Sequence, residues 1–414
     1  MKERLFYGWW VLFGLFLMYA GSSIGVSTFP LLNAELREIH GWTHEQVSLG
    51  PTFLYIAISI VAIFSGALID RYQPKIVIII GSICSIFSIL LYYIVDTIPL
   101  LISVYLIFSI AITNTGVLSG MAVITRWFKK YRGIAAGIFT TGSSLGGIIF
   151  PKMVSILVAK YGLDTAILGL AAAGSLFIIV PLFIIKNNPQ EVGTSIDGNK
   201  EIDSSTESAK HIAPTGVSLK EASQTIEFYM LLFITGSMWL VINTLVQHLS
   251  LLFKDLNISI QEAGTIQMLF FTCSLTGKFT FGWLSDKFSK KSIMLLAGVN
   301  MSLGCLLMLM AISQPNLLYG AVLVYGIGFS GTFTMVQLLV AEYYTGKHYG
   351  KILGVVITID NLAGALGIYL LGNLRTSSGS YTSGFTLMLI LCILATICTI
   401  LLKKPKIQVA QPAV

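Results

Sequence analysis

Gly66-Ala67-Leu68-Ile69-Asp70-Arg71-Tyr72-Gln73-Pro74-Lys75 and Gly282-Trp283-Leu284-Ser285-Asp286-Lys287-Phe288-Ser289-Lys290-Lys291 are two versions of one segment, 216 residues apart. Glycine, leucine, aspartate, a base and a closing lysine fall at the same offsets in both. Further matches follow at a spacing of 217: Gly133 and Gly137 correspond to Gly350 and Gly354, and Gly147 to Gly364. Each copy stands between two long apolar runs. A chain that repeats a polar loop between apolar runs in this way is built from two related halves.

Working outward, each apolar run is about the 20 residues that an α-helix needs to cross a hydrocarbon layer roughly 30 Å thick. Twelve such runs are expected, over 9–30, 46–69, 76–95, 98–124, 133–158 and 164–185, then 228–252, 262–285, 292–312, 316–341, 351–372 and 382–402. Their length excludes barrel strands, which alternate over about ten residues. The first run continues through Phe29-Pro30 with no small-residue cleavage site, so it is expected to be a retained span rather than a cleaved leader. Composition agrees: 55% of residues are hydrophobic and 11% charged, too few charges to cover the surface of a soluble fold. The five cysteines (Cys84, Cys273, Cys305, Cys392 and Cys398) lie in apolar runs without metal-like spacing and read as small hydrophobes.

Twelve crossings put both termini on one side. With the termini and even-numbered loops assigned to the cytoplasm, 20 of the 26 Lys and Arg fall inside. Four (Arg37, Lys160, Lys254 and Arg375) fall outside, and Lys152 and Lys278 lie within spans. This is the positive-inside pattern. The net charge of +7 then reflects loops facing anionic lipid and cytoplasm, and nucleic acid is not an expected partner. The domain reading is a six-helix bundle over 1–185, a polar cytoplasmic linker over 186–227, a second bundle over 228–402 and a cytoplasmic tail over 403–414. The linker is read as mobile, with an amphipathic stretch near 218–227.

Twelve spans, a long central loop and the twice-present G-x-L-x-D-R/K-x-x-x-K segment resemble the major facilitator superfamily over nearly the whole chain. Within it, the sequence is similar to the oxalate/formate antiporter and monocarboxylate transporter branch. The residues carrying that likeness are Phe6-Tyr7-Gly8-Trp9-Trp10, Gly41-Trp42-Thr43, Arg126-Trp127-Phe128 with Arg132-Gly133, and a base inside span 8. The resemblance implies an all-α polytopic membrane protein with two six-helix bundles in pseudo-two-fold symmetry. It implies alternating access in the plasma membrane, by a chain working as a monomer. It also implies that Asp70-Arg71 and Asp286-Lys287 brace the outward-facing state as gating residues. A carboxylate at a helix end meets a base or a helix N-terminus in one conformation only.

Charges inside spans are rare, and each is a functional hypothesis. Lys278 sits eight residues before Asp286, about 12 Å into the membrane. It either snorkels to the interface or offers a cation to an anionic substrate. The antiporter branch has an arginine in this register, so the resemblance makes Lys278 a lysine substitution at the binding position, without a bidentate grip. Asp360 lies ten residues after Gly350, about 15 Å deep. The two charges either neutralise one another as a buried pair or form a coupling device that substrate and proton compete to open. The antiporter's second cationic site falls on Val356, and the carboxylate of monocarboxylate carriers falls on Ser274. One cation and one new acid favour a small monocarboxylate with proton coupling. An oxalate/formate-like anion exchanger, or an exporter of an amphiphilic or cationic solute using Asp360, is the alternative.

Lys152 is expected to snorkel outward or to attract anions. Tyr19, Asn114, Asn243 and Tyr325 are candidate substrate-binding residues, and Ser23, Thr115, Gln247 and Gln337 are further polar candidates. By resemblance, the spans that carry them line the central cavity. The tryptophans near span ends (Trp9, Trp10, Trp42, Trp127 and Trp283) read as interface anchors, and Trp239 as a cavity wall. The glycine run 142–147 and Gly364 with Gly367 are expected to let helices approach closely. The five histidines are scattered, so no enzyme, metal or cofactor is expected.

Overall fold

The structure, a computed structural model, describes residues 6–198, 217–344 and 349–405; the Asp70 side chain and those of 349 and 350 are outside the description. Its regular elements are all helical among these residues. In chain order they are α1 Tyr7–Ser22, α2 Ile24–Ser27, α3 Phe29–His40, α4 His44–Tyr72, α5 Pro74–Tyr92, α6 Ile98–Thr115, α7 Val117–Trp127, α8 Arg132–Tyr161 and α9 Leu163–Ile184. After the linker come α10 Leu219–Ala222, α11 Ile226–Asp255, α12 Ile260–Lys287, α13 Lys290–Ala311, α14 Leu318–Tyr343, α15 Tyr349–Ser378 and α16 Thr382–Leu401.

Eleven crossings among the described residues are long and apolar enough to span a membrane. The twelfth expected span is α12. Its 28 residues make about 42 Å of helix, ample for a crossing, but Glu262, Gln267, Lys278, Asp286 and Lys287 dilute its apolar content. Large apolar side chains such as Ile63, Phe64 and Phe183 are exposed, as a lipid-facing surface requires.

Contacts divide the chain into two compact units. Unit 1 holds residues 1–204 with 246–272, and unit 2 holds 205–245 with 273–414, so α11 and α12 each contribute to both.

Local sequence explains the joints. The first repeat segment turns between α4 and α5 on one residue, Gln73 at φ 80°, and Pro74 starts α5, where its missing N–H removes no helical bond. The second copy turns through Phe288-Ser289, where the Ser289 hydroxyl accepts from the Ser292 amide as an N-cap. Thr43 opens α4 with a full capping box to Gln46. Two crossings are broken. Tyr7–His40 is interrupted at Ser23 and Thr28, and it extends well past the expected end at residue 30. The crossing from Ile98 to Trp127 breaks at Gly116, where an added Cβ would lie 2.3 Å from the Ile112 carbonyl oxygen.

The glycine run works as expected. A Cβ on Gly142 would sit 2.4 Å from the Phe16 carbonyl and one on Gly146 2.2 Å from that of Ala20, so α8 lies directly on the α1 backbone. Gly364 and Gly367 of α15 make room for the Asn243 and Thr244 side chains of α11. Without a hydrophobic drive between helices in lipid, such contacts carry the packing.

Two sequence expectations need correction here. Trp127 is no interface anchor. It is fully buried, donates its indole N–H to the Lys186 carbonyl at 2.9 Å, and packs with Phe6 and Tyr7 at centroid distances of 5.9 Å. Trp9 joins the same cluster through Phe128 at 5.2 Å, so the two aromatic motifs form one core. Second, the linker's first residues are docked. The Asp197 carboxylate accepts from the backbone N–H groups of Lys129 and Lys130, and the Asn187 side chain accepts from that of Lys75. The stretch near 218–227 begins with a capping box between Ser218 and Glu221. Residues 199–216 lie outside the described residues.

Candidate functional site

In unit 2, α12, α11, α14 and α15 bring the charged candidates to one wall. Lys278 is half-buried, and its ammonium lies 4.9 Å from the centroid of the Phe333 ring on α14, close enough for a cation–π contact. Phe333 stacks on Trp239 of α11 at 5.2 Å and 26°. Trp239 in turn lines a pocket with Gln337, Val356, Asp360 and Asn361, among others. Cation, two aromatic rings and carboxylate therefore form a continuous row. Phe333 carried no signal in the sequence because one phenylalanine in an apolar helix looks like any other.

Asp360 is 3% exposed, and its Oδ1 is buried without a hydrogen bond. The Thr235 hydroxyl of α11 faces the carboxyl group. The Lys278 ammonium rests on Phe333, and the Phe333–Trp239 stack leads from it to the pocket that Asp360 lines.

Other candidates in unit 2 are held between helices. The Tyr325 hydroxyl donates to the Val241 carbonyl at 3.2 Å, tying α14 to α11, and the Tyr325 backbone packs directly on Gly304 of α13. Asn243 is 6% exposed, lies against Gly364, and its Nδ2 makes no hydrogen bond. At the Lys- and Arg-rich end, Asp286 is exposed and the Lys287 ammonium sits 3.9 Å from the Trp283 ring centroid. The ion pair formed there is Lys290 with Glu342 at 3.2 Å.

Unit 1 holds the remaining candidates. Tyr19 stacks on Phe139 of α8 at 4.9 Å, faces the Ser143 hydroxyl, and lies beside the break at Gly116. Broken helices near mid-membrane leave backbone polar groups available to a solute. Tyr55 of α4 faces Gln247 of α11. Both amide atoms of Gln247 are buried without a hydrogen bond of normal geometry. Asn114 packs on Gly81 of α5, and its Oδ1 is likewise unsatisfied. Arg71 lies over the Tyr72 ring at 5.1 Å. Lys152 is half-buried and donates to the Thr265 hydroxyl near the start of α12 at 2.7 Å. Among the described residues no cluster of His, Cys, Asp or Glu is suited to a metal ion.

Comparison with known proteins accounts for this arrangement. The sequence profile of the Major Facilitator Superfamily matches residues 11–252 and 228–413. The uncharacterised transporter YcxA of Bacillus subtilis is 23% identical over 93% of this chain and 91% of its own length. Human monocarboxylate transporter 12 is 23% identical over 64% of this chain, which spans 55% of that protein. The crystal structure of a D-xylose–proton symporter superposes with a TM-score of 0.73 at 14% identity, covering 95% of this chain and 96% of that one. The monocarboxylate side of the expected resemblance has a counterpart among these relatives; none of them bears on the oxalate/formate side. With a family match along almost its whole length and a fold shared with solved carriers, this chain is a multi-pass membrane transporter of the major facilitator superfamily, a secondary carrier rather than an enzyme.

Proposed function

We propose that the protein carries a small organic anion, a monocarboxylate, across the plasma membrane with proton coupling. The observation that carries this reading is the row Lys278–Phe333–Trp239–Asp360. A half-buried ammonium resting on an aromatic face binds a carboxylate more strongly than it binds the ring, so an arriving anion displaces Phe333. Val356 lines the pocket beside Asp360, so a second base is missing where a dicarboxylate would need one. Burying an ionised carboxylate with an unsatisfied oxygen costs several kcal/mol, a penalty removed by taking up a proton. Asp360 is therefore the coupling group and Lys278 the anion site. Within unit 2, Asn243 offers a hydrogen bond to the substrate's polar end; Tyr19 and Asn114 are the candidate substrate-binding residues of unit 1. Tyr325 contributes mainly by fixing α14. Both termini and the linker lie in the cytoplasm, the gate residues Asp70, Arg71, Asp286 and Lys287 control the conformational change, and the unit of transport is the monomer.

The likeness to a monocarboxylate transporter supports the substrate class. A second reading, export of an amphiphilic cation, is favoured by one observation: Trp239 beside a buried carboxylate is also a setting for an organic cation. Uptake of labelled lactate, formate, oxalate and a quaternary ammonium compound by reconstituted protein separates the two. Saturable lactate or formate uptake supports the first; transport of the cation alone, with no anion flux, replaces it with the second.

A further inference from the structure

Beyond the pocket of unit 2, the densest charge cluster among the described residues lies at the opposite end of unit 1 from the arginine- and lysine-rich loops. Lys254, near the end of α11, reaches Glu35 at 2.8 Å and Glu38 at 2.5 Å, both on α3. Its neighbour Asp255 stands between Arg37 of α3 at 3.5 Å and His44, the first residue of α4, at 3.3 Å. The His44 side chain is 6% exposed and that of Asp255 14%. One turn further in, the Ser48 hydroxyl meets the buried His248 ring nitrogen at 3.2 Å and the His44 carbonyl at 2.6 Å. α3, α4 and α11 are thus fastened to one another by eight side chains.

The charges in this cluster do not balance without a proton. Two bases, Lys254 and Arg37, face three acids, Glu35, Glu38 and Asp255, which leaves one negative charge. Protonated His44 makes the sum zero. Glu45, half-buried on the same turn, adds negative charge and acts in the same direction. Two other imidazoles are placed differently: His40 is exposed and stacks on Trp42 at 4.7 Å, and His248 bonds Ser48. Glu262 at the start of α12 is exposed.

We propose that His44 with Asp255 is a proton-binding site that bolts the outer end of the carrier shut. Imidazole changes charge between about pH 5 and 8. Acid on this side puts a positive charge on His44, pairs it with Asp255 and completes the cluster, holding α11 against α3 and α4. At higher pH the unbalanced carboxylate weakens the contact, and α11 is released. A carrier that takes up a proton together with its substrate would use this to close behind the pair. The assignment of this end to the outside rests on the orientation proposed above.

The test is a distance measurement on protein whose five native cysteines have been replaced. Spin labels go on Ile39→Cys and Gln261→Cys, both exposed, in nanodiscs at pH 7.5 and 5.5. The short-distance population should rise several-fold on acidification. His44→Gln and Asp255→Asn should abolish the response, His40→Gln should keep it, and Lys254→Gln should lower the short-distance population at both pH values. An unchanged pH response in His44→Gln, or its loss in His40→Gln, overturns the proposal. Impermeant ascorbate added to intact cells reports the orientation separately: spin labels that resist reduction from outside would refute the sidedness and leave the bolt itself standing.

Discussion

Replacing Lys278 with alanine removes the one basic side chain on the Phe333–Trp239 wall. An ammonium and a carboxylate about 4 Å apart, at the effective dielectric of about 20 that suits protein sites, attract by roughly 4 kcal/mol. Lys278 is half-buried, so solvent screening reduces this to about 2 kcal/mol. That corresponds to roughly a 30-fold loss in kcat/KM for an organic anion. Lys278→Arg keeps the charge and should stay within several-fold of the parent, with formate and lactate penalised more than oxalate, because the planar fork grips two oxygens. Lys278→Met preserves the apolar stem, so matched expression and thermal stability in that variant separate a folding defect from a binding one. The assay is initial-rate uptake of labelled anion into proteoliposomes. Undiminished uptake by both Lys278→Ala and Lys278→Met would refute the assignment.

Four further outcomes follow from the same geometry. Asp360→Asn mimics the protonated acid; it should retain anion exchange between two internal and external pools while losing accumulation driven by a pH gradient, measured by counterflow against net uptake. Trp127→Ala should destabilise unit 1 by about 3–5 kcal/mol, whereas Trp127→Phe, which loses chiefly the bond to Lys186, should cost about 1 kcal/mol; thermal unfolding in detergent reads both. Asp286→Asn should slow exchange far more than it weakens equilibrium substrate binding, because the residue is exposed and remote from the Lys278 wall. A cysteine at residue 410 should react only with a permeant thiol reagent in intact cells if the C-terminus is cytoplasmic.

Span positions were legible because hydrophobic length is a one-dimensional signal. The close helix contacts at Gly142, Gly146 and Gly364 were legible for the same reason, since small residues at turn spacing announce them. What the sequence misplaced depends on which way a side chain points. Trp127 sits near a span end, as an anchor would, yet its ring turns inward onto Phe6 and Tyr7. Asp197 looked like linker polarity, but it satisfies two backbone amides that would otherwise lack partners. α12 falls short of the other crossings in apolar content because of its polar residues, Lys278 among them, so the residue that marks the site also helps to dim the helix. Charge depth placed Lys278 and Asp360 at similar levels, but depth says nothing of azimuth. The Phe333–Trp239 stack that links them is a tertiary feature. The cluster around His44 went unread because Glu35, Arg37, Lys254 and Asp255 look like ordinary loop charges until α3, α4 and α11 meet.

Proton-coupled carriage of a monocarboxylate is tested most directly by wild-type protein in sealed proteoliposomes, with labelled lactate and formate outside and the external medium made acidic relative to the lumen. The account predicts accumulation above the external concentration that collapses on adding a protonophore. Uptake that never exceeds equilibration, or accumulation that is indifferent to the pH gradient, would contradict it.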